Sequence, residues 1–82
     1  MSTLEEEFQA AADKMKANKS VTQTNQLELY SLFKQATQGP PTSSRPGMFD
    51  PVGRAKYDAW KAKEELSKED AMKAYIEYAG QL

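Results

Sequence analysis

Apolar residues recur along the chain at spacings of three and four, and no stretch alternates apolar with polar side chains as a half-buried strand does. The first run, Leu4, Phe8, Ala11, Ala12 and Met15, makes one stripe of a helix predicted over residues 3–17. Ser2 and Thr3 each precede a glutamate by three positions, the spacing of a capping box, and Glu5, Glu6 and Glu7 suit the positive end of a helix dipole. The second helix starts after Thr22 as N-cap and runs to about Gln38, where Gly39, Pro40 and Pro41 stop it. Its Leu27, Leu29, Tyr30, Leu32, Phe33 and Ala36 cover more than one stripe, the mark of a helix with neighbours on two sides. Asp50 followed by Pro51 signals a third helix, with Val52, Ala55, Ala59 and Trp60 as its stripe. The fourth starts at Ser67, with Asp70 at capping distance and Leu66 placed to staple onto Ala71. Ala71, Ala74, Tyr75, Tyr78 and Ala79 then run to Gly80.

Two of the three connections are only a few residues long, so the helices they join are antiparallel neighbours. The third, GPPTSSRPGMFD over residues 39–50, is long enough to cross between helices two and three. Its Met48 and Phe49 are too apolar for a spacer, which predicts that this loop packs onto the helices. The expected fold is all-α, a four-helix bundle forming a single domain over residues 1–82.

Composition then removes whole classes of chemistry. The 82 residues contain neither histidine nor cysteine. That excludes disulfides, zinc fingers, thiol or imidazole catalysis and the Glu-x-x-His ligands of bundle di-metal sites. Eleven basic against twelve acidic residues give a net charge of −1, with no field to draw the chain onto nucleic acid. Six bases from Arg54 onward (Lys56, Lys61, Lys63, Lys68 and Lys73 being the others) interleave with acids, leaving no basic stripe for a DNA backbone. Glu64, Glu65, Glu69 and Asp70 cluster where two helices meet and are dipole partners rather than a carboxylate pair. No apolar run reaches membrane-span length, and the acidic start is unlike a signal peptide. The expectation is a small soluble intracellular domain with no catalytic residues, no metal, no cofactor and no stable membrane insertion.

Lysines on apolar stripes break this pattern. Lys34 follows Tyr30 by four and adjoins Phe33; Lys56 stands between Val52 and Trp60 at the same spacing; Lys16 follows Ala12 likewise. Tyr75 adds a phenol on the last helix. Such lysines can snorkel, laying methylenes on the core with the ammonium in water. Alternatively they hold an anionic ligand with an aromatic part, lysine meeting phosphate and tyrosine stacking a base. Spacing alone leaves both readings open.

Three blocks carry a family resemblance: LYSLFKQATQG (29–39), RPGMFDPVGRAKYDAW (45–60) and SKEDAMKAYIE (67–77). In order and spacing they resemble the signature blocks of acyl-CoA-binding proteins. The resemblance implies an up-down-down-up arrangement of the four helices. It also implies a cytoplasmic, monomeric carrier and pool-former that binds long-chain fatty acyl-CoA reversibly and with high affinity, in lipid transport and not in catalysis. It places the nucleotide end at Tyr30, Ser31, Leu32, Phe33 and Lys34, the 3′-phosphate at Lys56, and further contacts at Lys16 and Tyr75. The acyl chain is then expected between helices one and two, along Ala11, Ala12, Met15, Leu27 and Met48. Phe33, Val52 and Tyr57 depart from the residues that family commonly carries there. The competing expectation is a small helical protein-interaction module without ligand chemistry.

Overall fold

Each helix begins at a side chain that accepts a hydrogen bond from a backbone N–H three residues on. The computed structural model describes residues 3–18 and 20–82, so the capping role read for Ser2, and Lys19 in the first turn, lie outside the described residues. Thr3 accepts from Glu6 and opens α1, Leu4–Ala17. Thr22 accepts from Asn25 and opens α2, Gln23–Gln38. Asp50 accepts from Gly53, with Pro51 at the first helical position, and opens α3, Pro51–Lys61. Ser67 accepts from Asp70 and opens α4, Lys68–Gly80. The box at Thr3 closes through side chains, because its hydroxyl donates to Glu6 Oε1. At the end of α2 the chain turns through Gly39 at φ 78°, a left-handed conformation that glycine adopts without steric cost.

α4 packs on both α1 and α2, and α2 packs in turn on α3, giving an all-α four-helix bundle. The core comes from three of the four helices. Phe8, Ala12 and Met15 of α1 meet Leu29, Leu32 and Ala36 of α2 and the ridge Ala71, Tyr75, Ala79 of α4. Ala36, Ala71 and Ala79 are almost wholly shielded, and their small side chains let α2 and α4 approach closely. Leu66 packs against this cluster too, as its position before the Ser67 cap predicts. A second strip of α2 is buried through polar residues: Ser31 donates to the Glu28 carbonyl, and Gln35 Nε2 donates to Leu66 O at 2.7 Å. The wide apolar girth of α2 thus corresponds to contacts on two sides.

Two expectations are corrected. The stripe of α3 is not a core stripe: none of its residues is buried, and Val52 is 59% exposed. The loop 39–50 also does not pack through its apolar pair, since Met48 is 73% and Phe49 95% exposed. Polar contacts hold it instead. Trp60 Nε1 donates to Gly39 O at 2.7 Å, and Arg45 makes a bidentate pair with Asp58 at 2.9 and 2.6 Å. That pair holds the Asp58 carboxyl below its ordinary range, through the hydrogen bond from Arg45. Hydropathy alone could not reveal that polar contacts would take over the tethering.

Candidate functional site

Tyr30 stands where three cavities meet, half-buried on α2. The first, about 450 Å³, opens between α1 and α2 and is walled by Ala12, Met15, Val21, Leu29, Tyr30, Phe33 and Tyr75, with Lys16, Asn18 and Gln26 supplying polar groups. The second, about 480 Å³, lies between α2 and α3. Its walls are Leu27, Pro51, Val52 and Ala55, bordered by Gln23, Gln26, Tyr30 and Lys56. The third, about 220 Å³, sits under the long loop and is lined by Ser43, Ser44, Pro46, Gly53, Lys56, Tyr57 and Trp60 beside Tyr30. Volumes of the first two are in the range of small-molecule sites.

Two ammonium groups flank the Tyr30 ring. Lys34 Nζ lies 5.7 Å from its centroid and 5.6 Å from that of Trp60, and Lys56 Nζ lies 5.3 Å from the Tyr30 centroid. These distances permit cation–π attraction, which holds both ammonium groups near the phenol. Arg45, Lys61 and Lys63 have carboxylate partners at Asp58, Glu64 and Glu28. Among the described residues, Lys16, Lys34 and Lys56 have no such partner within 4.0 Å. Three cations without counterions therefore border cavities walled by aromatic and aliphatic groups, an arrangement suited to an anion that carries apolar parts.

The aromatic floor of the first cavity is fixed by packing. Phe8 stacks on Phe33 at 5.5 Å and meets Tyr75 edge-on at 5.1 Å, while Phe33 and Tyr75 lie 6.2 Å apart. Burial raises the Tyr75 phenol above its ordinary pKa, so it presents a neutral hydroxyl. Below this floor, the Tyr78 hydroxyl donates to Asn25 Oδ1 at 2.6 Å and ties α4 to the start of α2.

The structure brings Lys16, Tyr30, Phe33 and Tyr75 together at the first cavity, with Ala12 and Met15 in its wall. Lys34 and Lys56 converge on Tyr30 from α2 and α3. Ser31 and Leu32 turn into the core, 0% and 3% exposed, and line none of the three cavities. Ala11 and Met48 line none of them either. Leu27 belongs to the second cavity, not to the one that holds Met15, so the single groove expected between α1 and α2 divides in two across Tyr30. Gln26 and Trp60 line cavities without standing among the expected contacts, Trp60 being assigned by its spacing to the stripe of α3 alone. Gln26 precedes Tyr30 by four and Trp60 follows Lys56 by four, so helical spacing had carried the signal.

Comparisons with known proteins agree with the four-helix fold and give the family. Residues 5–79 match the family model described as "Acyl CoA binding protein". An "Acyl-CoA-binding protein" of Fritillaria agrestis is 52% identical over 80 residues, covering 96% of this chain and 92% of its own. An "Acyl-CoA-binding protein homolog" of Manduca sexta is 51% identical over 76 residues, covering 90% of this chain and 84% of its own. The crystal structure of Oryza sativa Acyl-CoA-Binding Protein 2 superposes with a TM-score of 0.92 at 49% identity, covering 96% of this chain and 87% of that one.

Proposed function

We infer the function from the premise that this chain belongs to the acyl-CoA-binding protein family: it binds fatty acyl-CoA thioesters reversibly, as a cytosolic monomeric carrier and reservoir of long-chain cargo. The observation that carries this reading is the pair of counterion-free lysines, Lys34 and Lys56, on the ring of Tyr30 between an aromatic cavity and an aliphatic one. The phosphates of the CoA head meet these two ammonium groups. The purine enters the first cavity, where Tyr30, Phe33 and Tyr75 offer aromatic surface and Asn18 and Gln26 offer amides matched to ring nitrogens. The acyl chain enters the second cavity, whose walls are aliphatic. This seating keeps the predicted tail contact at Leu27 and reassigns Ala12 and Met15 to the head.

Magnitudes divide the labour between head and tail. Each methylene taken from water contributes about 0.8 kcal/mol, so a tail of about 16 carbons offers at most roughly 12 kcal/mol. Ordering the flexible tail and leaving part of it exposed reduce that sum. Each charge-assisted phosphate contact adds about 1.5–3 kcal/mol. The tail therefore dominates affinity, and the head sets which thioester is accepted. Nothing in this scheme requires a bond to be made or broken.

Titrating acetyl-CoA, octanoyl-CoA and palmitoyl-CoA into the protein tests the reading. Affinity is expected to rise from the two-carbon to the long-chain ester by at least about a hundredfold, well within the per-methylene allowance. Equal affinities across the series would remove the aliphatic seat.

A further inference from the structure

Among the described residues, large apolar side chains of high exposure gather at one place. Phe49 is 95%, Met48 73% and Val52 59% exposed, all within five consecutive positions at the start of α3. Leu82, 40% exposed, is the remaining exposed large hydrophobe and lies apart in the sequence; a cluster of three within five positions marks a contact surface. We propose that the Met48–Phe49–Val52 corner is a reversible docking point for anionic lipid bilayers, through which acyl cargo enters and leaves the second cavity.

Three observations select a bilayer as the occupant. Met48 and Phe49 project from the loop and line none of the cavities, so they form a protrusion and not a groove for a partner helix. Short apolar protrusions of this shape enter a fluid acyl layer without needing a complementary surface. Charge is local as well. Residues 43–58 carry Arg45, Arg54 and Lys56 against Asp50 and Asp58, a sum of +1 in a chain whose total is −1; Arg45 and Asp58 pair with each other, so Arg54 and Lys56 carry the excess. Basic groups beside an apolar wedge favour anionic headgroups at short range. Finally, Val52 belongs both to the exposed corner and to the wall of the second cavity, so the apolar surface continues from the protrusion into that cavity. The last point rests on the acyl seat assigned above; the first two do not.

The test is flotation of the whole protein with vesicles of phosphatidylcholine alone and with phosphatidylserine added, for the parent and for a double variant Met48→Ser, Phe49→Ser. These two side chains touch neither the core cluster nor the cavities, and circular dichroism checks that helicity is kept. The parent is expected to float with the anionic vesicles and less with the neutral ones, and the variant to bind about tenfold more weakly, as loss of two apolar insertions dictates. Transfer of a fluorescent acyl-CoA to vesicles should slow in the double variant and in Phe49→Ser alone, and in Phe49→Ser, whose side chain is none of the expected acyl contacts, affinity in solution stays unchanged. Failure of the parent to float, or equal flotation by the variant, overturns the proposal. So does a dimer that the same substitutions dissolve without any lipid binding. Flotation with no acyl-CoA binding would overturn the function reading and leave the lipid surface standing.

Discussion

Removing one ammonium from the Tyr30 ring separates ligand recognition from fold stability. Lys34→Met keeps most of the aliphatic stem that lies between Tyr30 and Trp60 and deletes only the charge. In the unliganded protein the loss is the cation–π attraction, about 0.5–1 kcal/mol at sites this accessible. That corresponds to a fall in Tm of roughly 2–8 °C for a domain of this size. In the complex the loss is a charge-assisted phosphate contact of about 1.5–3 kcal/mol, a weakening of roughly 10- to 150-fold. Lys56→Met removes the second charge, from a helix that buries no side chain, and should cost less stability for a similar loss of affinity. Because both lysines share one ring, the double variant should depart from additivity. Isothermal titration with palmitoyl-CoA, paired with thermal melts of the free proteins, reads both quantities. Parent-like affinity in both single variants would refute the phosphate assignment, whatever the melting temperatures do.

Other consequences are open to equally direct checks. Phe8→Ala should destabilise the fold by about 3–5 kcal/mol in urea titration, because it opens the stack with Phe33 and Tyr75 in the core cluster. Tyr78→Phe removes the hydrogen bond to Asn25 and should cost about 0.5–1.5 kcal/mol in the same assay. Ligand at 100 times its dissociation constant should add about 2.7 kcal/mol to unfolding, and a melting temperature flat across that titration would argue against one preformed site. The Asp58 carboxyl is held below its ordinary pKa of 3.8 by Arg45. Its contribution is therefore complete above that value and is lost as pH falls through the lowered one. Loop 39–50 should loosen in NMR relaxation at pH 2 relative to pH 6, and Asp58→Asn should loosen it at both.

Boundaries and caps were legible because each rests on local chemistry. Thr22, Asp50 and Ser67 announce their helices through a single acceptor oxygen, and Gly39 ends α2 by a backbone conformation it adopts freely. The lysine anomalies were legible for a related reason, since a cation at i±4 from an aromatic residue stands out on a helical face. Convergence was not. Lys34 and Lys56 sit on different helices, and only the packing of α3 on α2 brings both to one ring. The division of the apolar groove was hidden too, because periodicity assigns Met15 and Leu27 to faces without saying that Tyr30 stands between them. Hydropathy misplaced the loop: Met48 and Phe49 read as buried, whereas the Arg45–Asp58 pair and the Trp60–Gly39 hydrogen bond anchor that segment.

Titration calorimetry of the protein with palmitoyl-CoA, alongside free CoA and free palmitate, bears most directly on the site around Tyr30. Tight one-to-one binding of the thioester, with each fragment far weaker, is the result expected of a site that engages head and tail together. Binding of palmitate as tight as that of the thioester, or no binding of the thioester at all, would contradict it.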